Sequence, residues 1–233
     1  MSNYEIHSAP WDSWESEITT IVIEDGVPSI GNYAFSYLSV KIVTIPSSVR
    51  TIGDDAFYNC KSLESVIIPD SVTNIGEYAF SKSALKNVTI PGSMKTIGDY
   101  AFCYCDSLES VFIPDSVASI GDHAFSKSGL KNVTIPGSVK TIGVSMFYGC
   151  DSLEYVFISD GVTGIGESAF SCSGLKNVAI PSSVKTIEEQ AFYMCSSLES
   201  VFIPDSVTSI GNWVPSPLVH IYQLFSMKVP MIC

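Results

Sequence analysis

One short motif recurs over residues 18–211, and that repetition restricts the fold more than any other property of the chain. A single copy reads Leu63, Val66, Ile68, Pro69, Val72, Ile75, Gly76, Ala79, Phe80. The valine after the proline returns after 23 residues (Val49 to Val72), then after 22 (Val72 to Met94), and the alternation continues through Val117, Val139, Val162, Val184 and Val207. The full unit is therefore a pair of coils spanning 45 residues. A unit this short cannot bury its own apolar face and becomes stable only by stacking on its neighbours, so the period specifies a solenoid.

Within a unit, Val66 and Ile68 flank one outward residue, the period-2 signal of a strand. The same pattern predicts strands at 21–23, 43–45, 66–68, 88–90, 111–113, 133–135, 156–158, 178–180 and 201–203. Proline ends most of them, because it has no N–H to give to a ladder. The spacing Ile75, Ala79, Phe80 then changes to a helical one, and Gly76-Glu77 reads as a helix start. Acidic residues recur at that first-turn position (Asp54, Glu77, Asp99, Asp122, Glu167, Glu189), where they suit the positive end of a helix dipole. The expected fold is a leucine-rich repeat solenoid, with a parallel β-sheet on one face, short helical turns on the other, and alternating 22- and 23-residue coils. The Leu, Val, Ile, Ala and Phe columns point inward, and each large buried side chain contributes about 1.5–3 kcal/mol.

Three segments follow. Residues 1–17 precede the repeats and are expected to cap the first coil, with Trp11 and Trp14 as packing anchors; residues 18–211 form the solenoid. In residues 212–233 the pattern fails: Pro215 and Pro217 forbid a helix, 219–221 fit a shortened tenth strand, and the apolar remainder covers the last coil, pairs with another chain or frays. Along the strand starts, charge alternates through Lys41, Glu64, Lys86, Glu109, Lys131, Glu154, Lys176 and Glu199, setting opposite signs on neighbouring strands. A slip of one coil would bring like charges together, so the column favours one register.

The sequence offers little to catalysis. His7, His123 and His220 are scattered, with no metal-ligand or triad spacing, and no phosphate-binding loop is present. Asp25, Asp70, Asp115, Asp160 and Asp205 recur with the repeat and read as turn residues. No catalytic residue, metal site or cofactor is assigned. Cys60, Cys105, Cys150 and Cys195 form one column two coils apart, roughly 9–10 Å, too far for disulfides, and are expected as buried apolar fillers. The sequons at Asn87 and Asn132 fall inside strands, a poor setting for glycosylation. With 12 basic against 24 acidic residues the net charge is -12, which disfavours nucleic acid and anionic bilayers. No apolar run is long enough to span a membrane, and the first residues lack the pattern of a secretory signal.

The outward residue at mid-strand reads Val22, Thr44, Ile67, Thr89, Phe112, Thr134, Phe157, Ala179, Phe202. From Ile67 onward every second strand carries a large apolar group toward solvent, although threonine serves the sister coil equally well. Rimmed by Ser65, Asn87, Ser110, Asn132, Tyr155 and Asn177, the stripe has the composition of a protein contact surface. The alternative is that these side chains stiffen the sheet against cross-strand neighbours. Binding is therefore expected at Ile67, Phe112, Phe157 and Phe202, with Thr89, Thr134 and Tyr155 beside them.

The composite Leu-x-x-Val-x-Ile-Pro-x-x-Val-x-x-Ile-Gly-x-x-Ala-Phe-x-x-Cys resembles the BspA-like, or Treponema pallidum type, leucine-rich repeat. The resemblance implies a non-enzymatic, surface or secreted protein of the adhesin kind, binding a protein or other extracellular macromolecule. A structural spacer or self-associating scaffold, dimerising through the sheet face or the tail, is the other reading. The chain departs from the pattern at Glu188, at Met146 and in the tail.

Overall fold

The computed structural model describes residues 3–5, 8–212 and 220–223. The chain winds as a parallel β-solenoid whose coils repeat the 22- and 23-residue alternation of the sequence. The longer strands, from Thr20–Val22 and Ile42–Thr44 through Tyr155–Ile158 to Ser200–Ile203, pair in parallel as runs of two, three and five. Register keeps each column intact: Val156 lies opposite Val133 and Val178, and Phe157 opposite Thr134 and Ala179. The expected tenth strand forms at His220–Gln223 and pairs with Ser200–Ile203. The remaining tail residues and the tail's part in capping or dimerisation lie outside the described residues, as does His7.

The expected helical turns are not there. Among the described residues the only helical segment is the 3-10 turn Asp12–Trp14. Each coil instead makes a second, two-residue strand at the Ile of Ile-Gly, such as Asn74–Ile75, which pairs with Thr51–Ile52 and Thr96–Ile97 in a second parallel ladder. Two tight turns follow. Tyr78 and Lys82 have φ of 52° and 59°, and an equivalent pair recurs in every later coil up to Gln190 and Met194. A residue in the left-handed region breaks a right-handed helix, and here it sends alternate amides along the solenoid axis. The amides of Tyr78, Phe80 and Lys82 donate to Asp99, Ala101 and Cys103 of the next coil at 2.8–2.9 Å, while those of Ala79, Ser81 and Ser83 close turns onto Gly76, Tyr78 and Phe80. Ile75, Ala79 and Phe80 still point inward, so the apolar spacing fits this geometry as well as it fits a helix.

The acidic column has no helix to cap. Asp54 Oδ1 accepts from the amide of Glu77, Asp99 Oδ1 from that of Asp122, and Asp122 Oδ1 from that of Val144, each 2.8–2.9 Å away in the next coil. These carboxylates bind coil to coil. The glycine beside them is required by closeness: a Cβ on Gly76 would lie 2.6 Å from the amide nitrogen of Asp54, and one on Gly98 2.6 Å from the carbonyl carbon of Gly76. Glu188, where glycine is expected, keeps the same backbone bond, to the carbonyl of Ile165 at 2.9 Å.

The core is one continuous column per residue type. Phe57, Phe80, Phe102, Phe125, Phe147, Phe170 and Phe192 stack with centroids 5.2–5.7 Å apart and planes within 9°. Met146 takes an alanine position and is fully buried; the widest spacing of the stack, 5.7 Å, is between Phe125 and Phe147 beside it. Trp11 extends the column at its N-terminal end, stacking on Phe35 at 5.4 Å and donating through Nε1 to the carbonyl of Ala34 at 2.7 Å. Trp14 does not share that role: it is 54% exposed, because the short turn carries its side chain away from the first coil.

The four column cysteines are buried free thiols, each Sγ donating to a carbonyl of an earlier coil (Phe35, Phe80, Phe125, Phe170) at 3.0–3.2 Å. Burial pushes the Cys60 and Cys105 thiols up to about 12 and that of Cys150 to about 11. The expected charge pairs are formed at Lys86–Glu64, Lys131–Glu109 and Lys176–Glu154, 2.6–2.8 Å apart and largely in solvent, where such pairs contribute little. Lys86 holds the Glu64 carboxyl below its usual range.

Candidate functional site

Strand alternation fixes what faces outward on the long-strand ladder. Val66, Val88, Val133, Val156, Val178 and Val201 turn into the core, so the next residue of each strand must point to solvent. Ile67 is 84% exposed, Phe112 68%, Phe157 62% and Phe202 46%. Thr89, Thr134 and Ala179 are exposed between them in the same register, Thr89 opposite Phe112 and Ala179 opposite Phe202. Tyr155, half-exposed, begins the strand that carries Phe157, opposite Asn132 and Asn177. All seven residues named from the sequence thus lie on one face. A shallow depression of 310 Å³ beside Phe112 and Thr134, floored by Val111 and Val133 and closed by Pro114 and Pro136, gives the face relief.

The aromatic stacks of the protein run elsewhere. One is the buried Phe column. The other lies on the turn face, where Tyr78, Tyr100 and His123 stack at 4.5 Å with planes within 7°. Beside it Lys82 Nζ donates to the Tyr58 hydroxyl at 2.7 Å and lies 5.1 Å from that ring's centre and 5.9 Å from that of Tyr104. Lys127 Nζ lies 5.0 Å from the Tyr104 ring. The hydrogen bond to Tyr58 raises the Lys82 ammonium above its ordinary value, as one to Tyr104 does for Lys127. Nearby, burial raises the Asp55 carboxyl, opposed by its hydrogen bond to Tyr33. This second surface was not singled out from the sequence. Its signal is the pair of positions after each core Phe, which become legible once the coils are written beneath one another.

Among the described residues no three His, Cys, Asp or Glu side chains are grouped to hold a metal ion, and no helix is long and apolar enough to cross a membrane.

Comparison with known proteins agrees with this geometry. The family model for the BspA type leucine rich repeat region matches in 6 copies, over residues 13–128 and 95–215. A solved leucine-rich repeat protein of T. pallidum is 33% identical, with a TM-score of 0.62 over 66% of this chain and 75% of that one. The pneumococcal vaccine antigen PcpA is 19% identical at a TM-score of 0.50, covering 91% of this chain and 71% of its own, a likeness of fold. A Bacteroides ovatus leucine-rich repeat protein is 28% identical, covering 84% of this chain and 75% of its own at a TM-score of 0.42. No curated protein matches. With matches over nearly every coil, the chain belongs to the BspA-type leucine-rich repeat family.

Proposed function

We propose that the protein is a binding module, rather than an enzyme, that contacts a protein partner through the long-strand face at Ile67, Phe112, Phe157 and Phe202. The observation that carries this reading is the exposure of four large apolar side chains in one register on a face whose folding does not need them, since Thr89 and Thr134 hold the same position. Apolar anchors set in a polar rim are the usual centre of a protein interface. In this reading residues 1–17 cap the N-terminal end of the 18–211 solenoid. The module acts at a cell surface or outside the cell, as the family resemblance implies, in the manner of an adhesin.

The test is a screen of the intact chain against immobilised extracellular matrix proteins and whole microbial cells, followed by hydrogen exchange of the chain with whatever binds. Protection gathered at residues 110–113, 132–135 and 155–158 supports the reading, and protection confined to other faces removes it. The same apolar stripe also favours pairing with a second copy of the chain. Sedimentation over a range of concentrations separates the two readings, because a strict monomer eliminates self-association.

A further inference from the structure

We infer that the turn face carries a second binding surface, built for a neutral polysaccharide lying parallel to the solenoid axis. Two open pockets, of 600 and 560 Å³, lie side by side there and share the Tyr104 wall. The second repeats the polar groups of the first in part, with Gly149 where the first has Tyr104 and Asp106 where it has Lys61. Lys82, Asp106 and Ser107 of the first become Lys127, Asp151 and Ser152 of the second on moving 45 residues along the chain. Two coils separate them, about 10 Å at the usual strand spacing. A ligand that fills both in the same way must itself repeat at that distance, and two linked pyranose rings of an extended chain span close to it.

The lining suits sugar rings. Tyr58, Tyr104 and Tyr148 stand along the groove as aromatic walls for the C–H faces of pyranoses, with Lys82 held between the first two. Ammonium groups, carboxylates and the hydroxyls of Ser107 and Ser152 supply both donors and acceptors, as a hydroxyl-rich ligand requires. Across the two pockets Lys61, Lys82 and Lys127 nearly balance Asp106 and Asp151. The groove is thus close to neutral on a chain of net charge -12, which argues against an anionic polymer. A proline-rich helix advances by a similar length per turn, about 9 Å, but its prolines have no N–H to offer Asp106 or Asp151.

The backbone at these positions belongs to the turn that every coil makes. Lys82, Tyr104 and Lys127 have φ of 59°, 56° and 53°, a region costly to residues other than Gly, Asn and Asp. Asn59 and Gly149 fill the same column at less cost, and Tyr37, Cys172 and Met194 share it.

The test is affinity electrophoresis of the intact chain through gels holding mixed-linkage β-glucan, xylan, galactomannan or soluble starch, with heparin and a polyproline peptide as contrasts. Retardation by at least one of the four neutral polymers is expected. Tyr104→Asn, which keeps a residue at ease with positive φ, and Asp106→Asn should each weaken it about tenfold without changing the melting temperature, whereas Phe112→Thr with Phe157→Thr should leave it intact. Retardation by none of the four, binding only to heparin or polyproline, or binding that survives both turn-face substitutions overturns the inference. Because the sheet-face pair is scored in the same gels, failure here is distinct from failure of the protein-binding reading.

Discussion

Replacing Phe125 with alanine examines how the solenoid is held together. Phe125 is fully buried, with Phe102 and Phe147 at 5.4 and 5.7 Å on either side. The substitution deletes a ring and leaves a cavity between two coils, and a loss of about 3–5 kcal/mol is expected. Offset stacked rings add about 0.5–1.5 kcal/mol per contact beyond their buried area, and this site loses two contacts, which favours the upper half of that range. Because stability in a linear array is a sum of coil and neighbour terms, a central break should also separate the halves. Urea unfolding followed by circular dichroism should show a lower midpoint and a broader transition. Hydrogen exchange should rise first around residues 120–150. A loss below about 1 kcal/mol, with a single sharp transition, would refute the argument that the phenylalanine column couples the coils.

Other substitutions test separate parts of the account. Gly98→Ala drives a Cβ against the Gly76 carbonyl carbon at 2.6 Å and should cost about 1–3 kcal/mol in chemical denaturation, whereas Gly92→Ala, with open space around it, should cost almost nothing. Iodoacetamide at about pH 8 should leave Cys60, Cys105 and Cys150 unmodified until the chain unfolds, since burial holds these thiols at about 11–12, as mass spectrometry of the labelled protein would show. The raised Asp55 carboxyl keeps its proton to higher pH in the folded chain than in the unfolded one, so stability falls as pH rises through that window. Asp55→Asn should therefore melt higher than the parent at about pH 7 and converge with it at about pH 3, and the reverse order would refute the burial argument.

Much of this was legible in the sequence because a repeat states each inward position many times. The Leu, Val, Ile, Ala and Phe columns, the thiol fillers and the outward stripe all follow from a period of 22 or 23 combined with strand alternation. The turn face was not legible in the same way. An Ile, Ala, Phe spacing fits a helix and two tight turns equally well, and what separates them is positive φ at Tyr78 and Lys82, residues that carry no mark of that conformation. Asp54 and Asp99 looked like helix caps because the amides they accept from are adjacent in space yet 23 residues away in the chain. The Tyr and Lys groove depends on the same cross-coil neighbours. Trp11 and Trp14 could not be told apart either, since only the placement of one short turn sends the first onto Phe35 and the second into solvent.

The most direct test of the binding account is the double substitution Phe112→Thr and Phe157→Thr, scored for both melting and affinity toward the protein partner found in the screen. Both rings are more than 60% exposed, and threonine already occupies the sister strands, so stability should stay within about 0.5 kcal/mol of the parent. Affinity should fall at least a hundredfold, about 2.7 kcal/mol, as expected for two central anchors. Unchanged affinity, or a large fall in melting temperature with affinity otherwise retained, would show instead that these side chains stiffen the sheet and that the partner is held elsewhere.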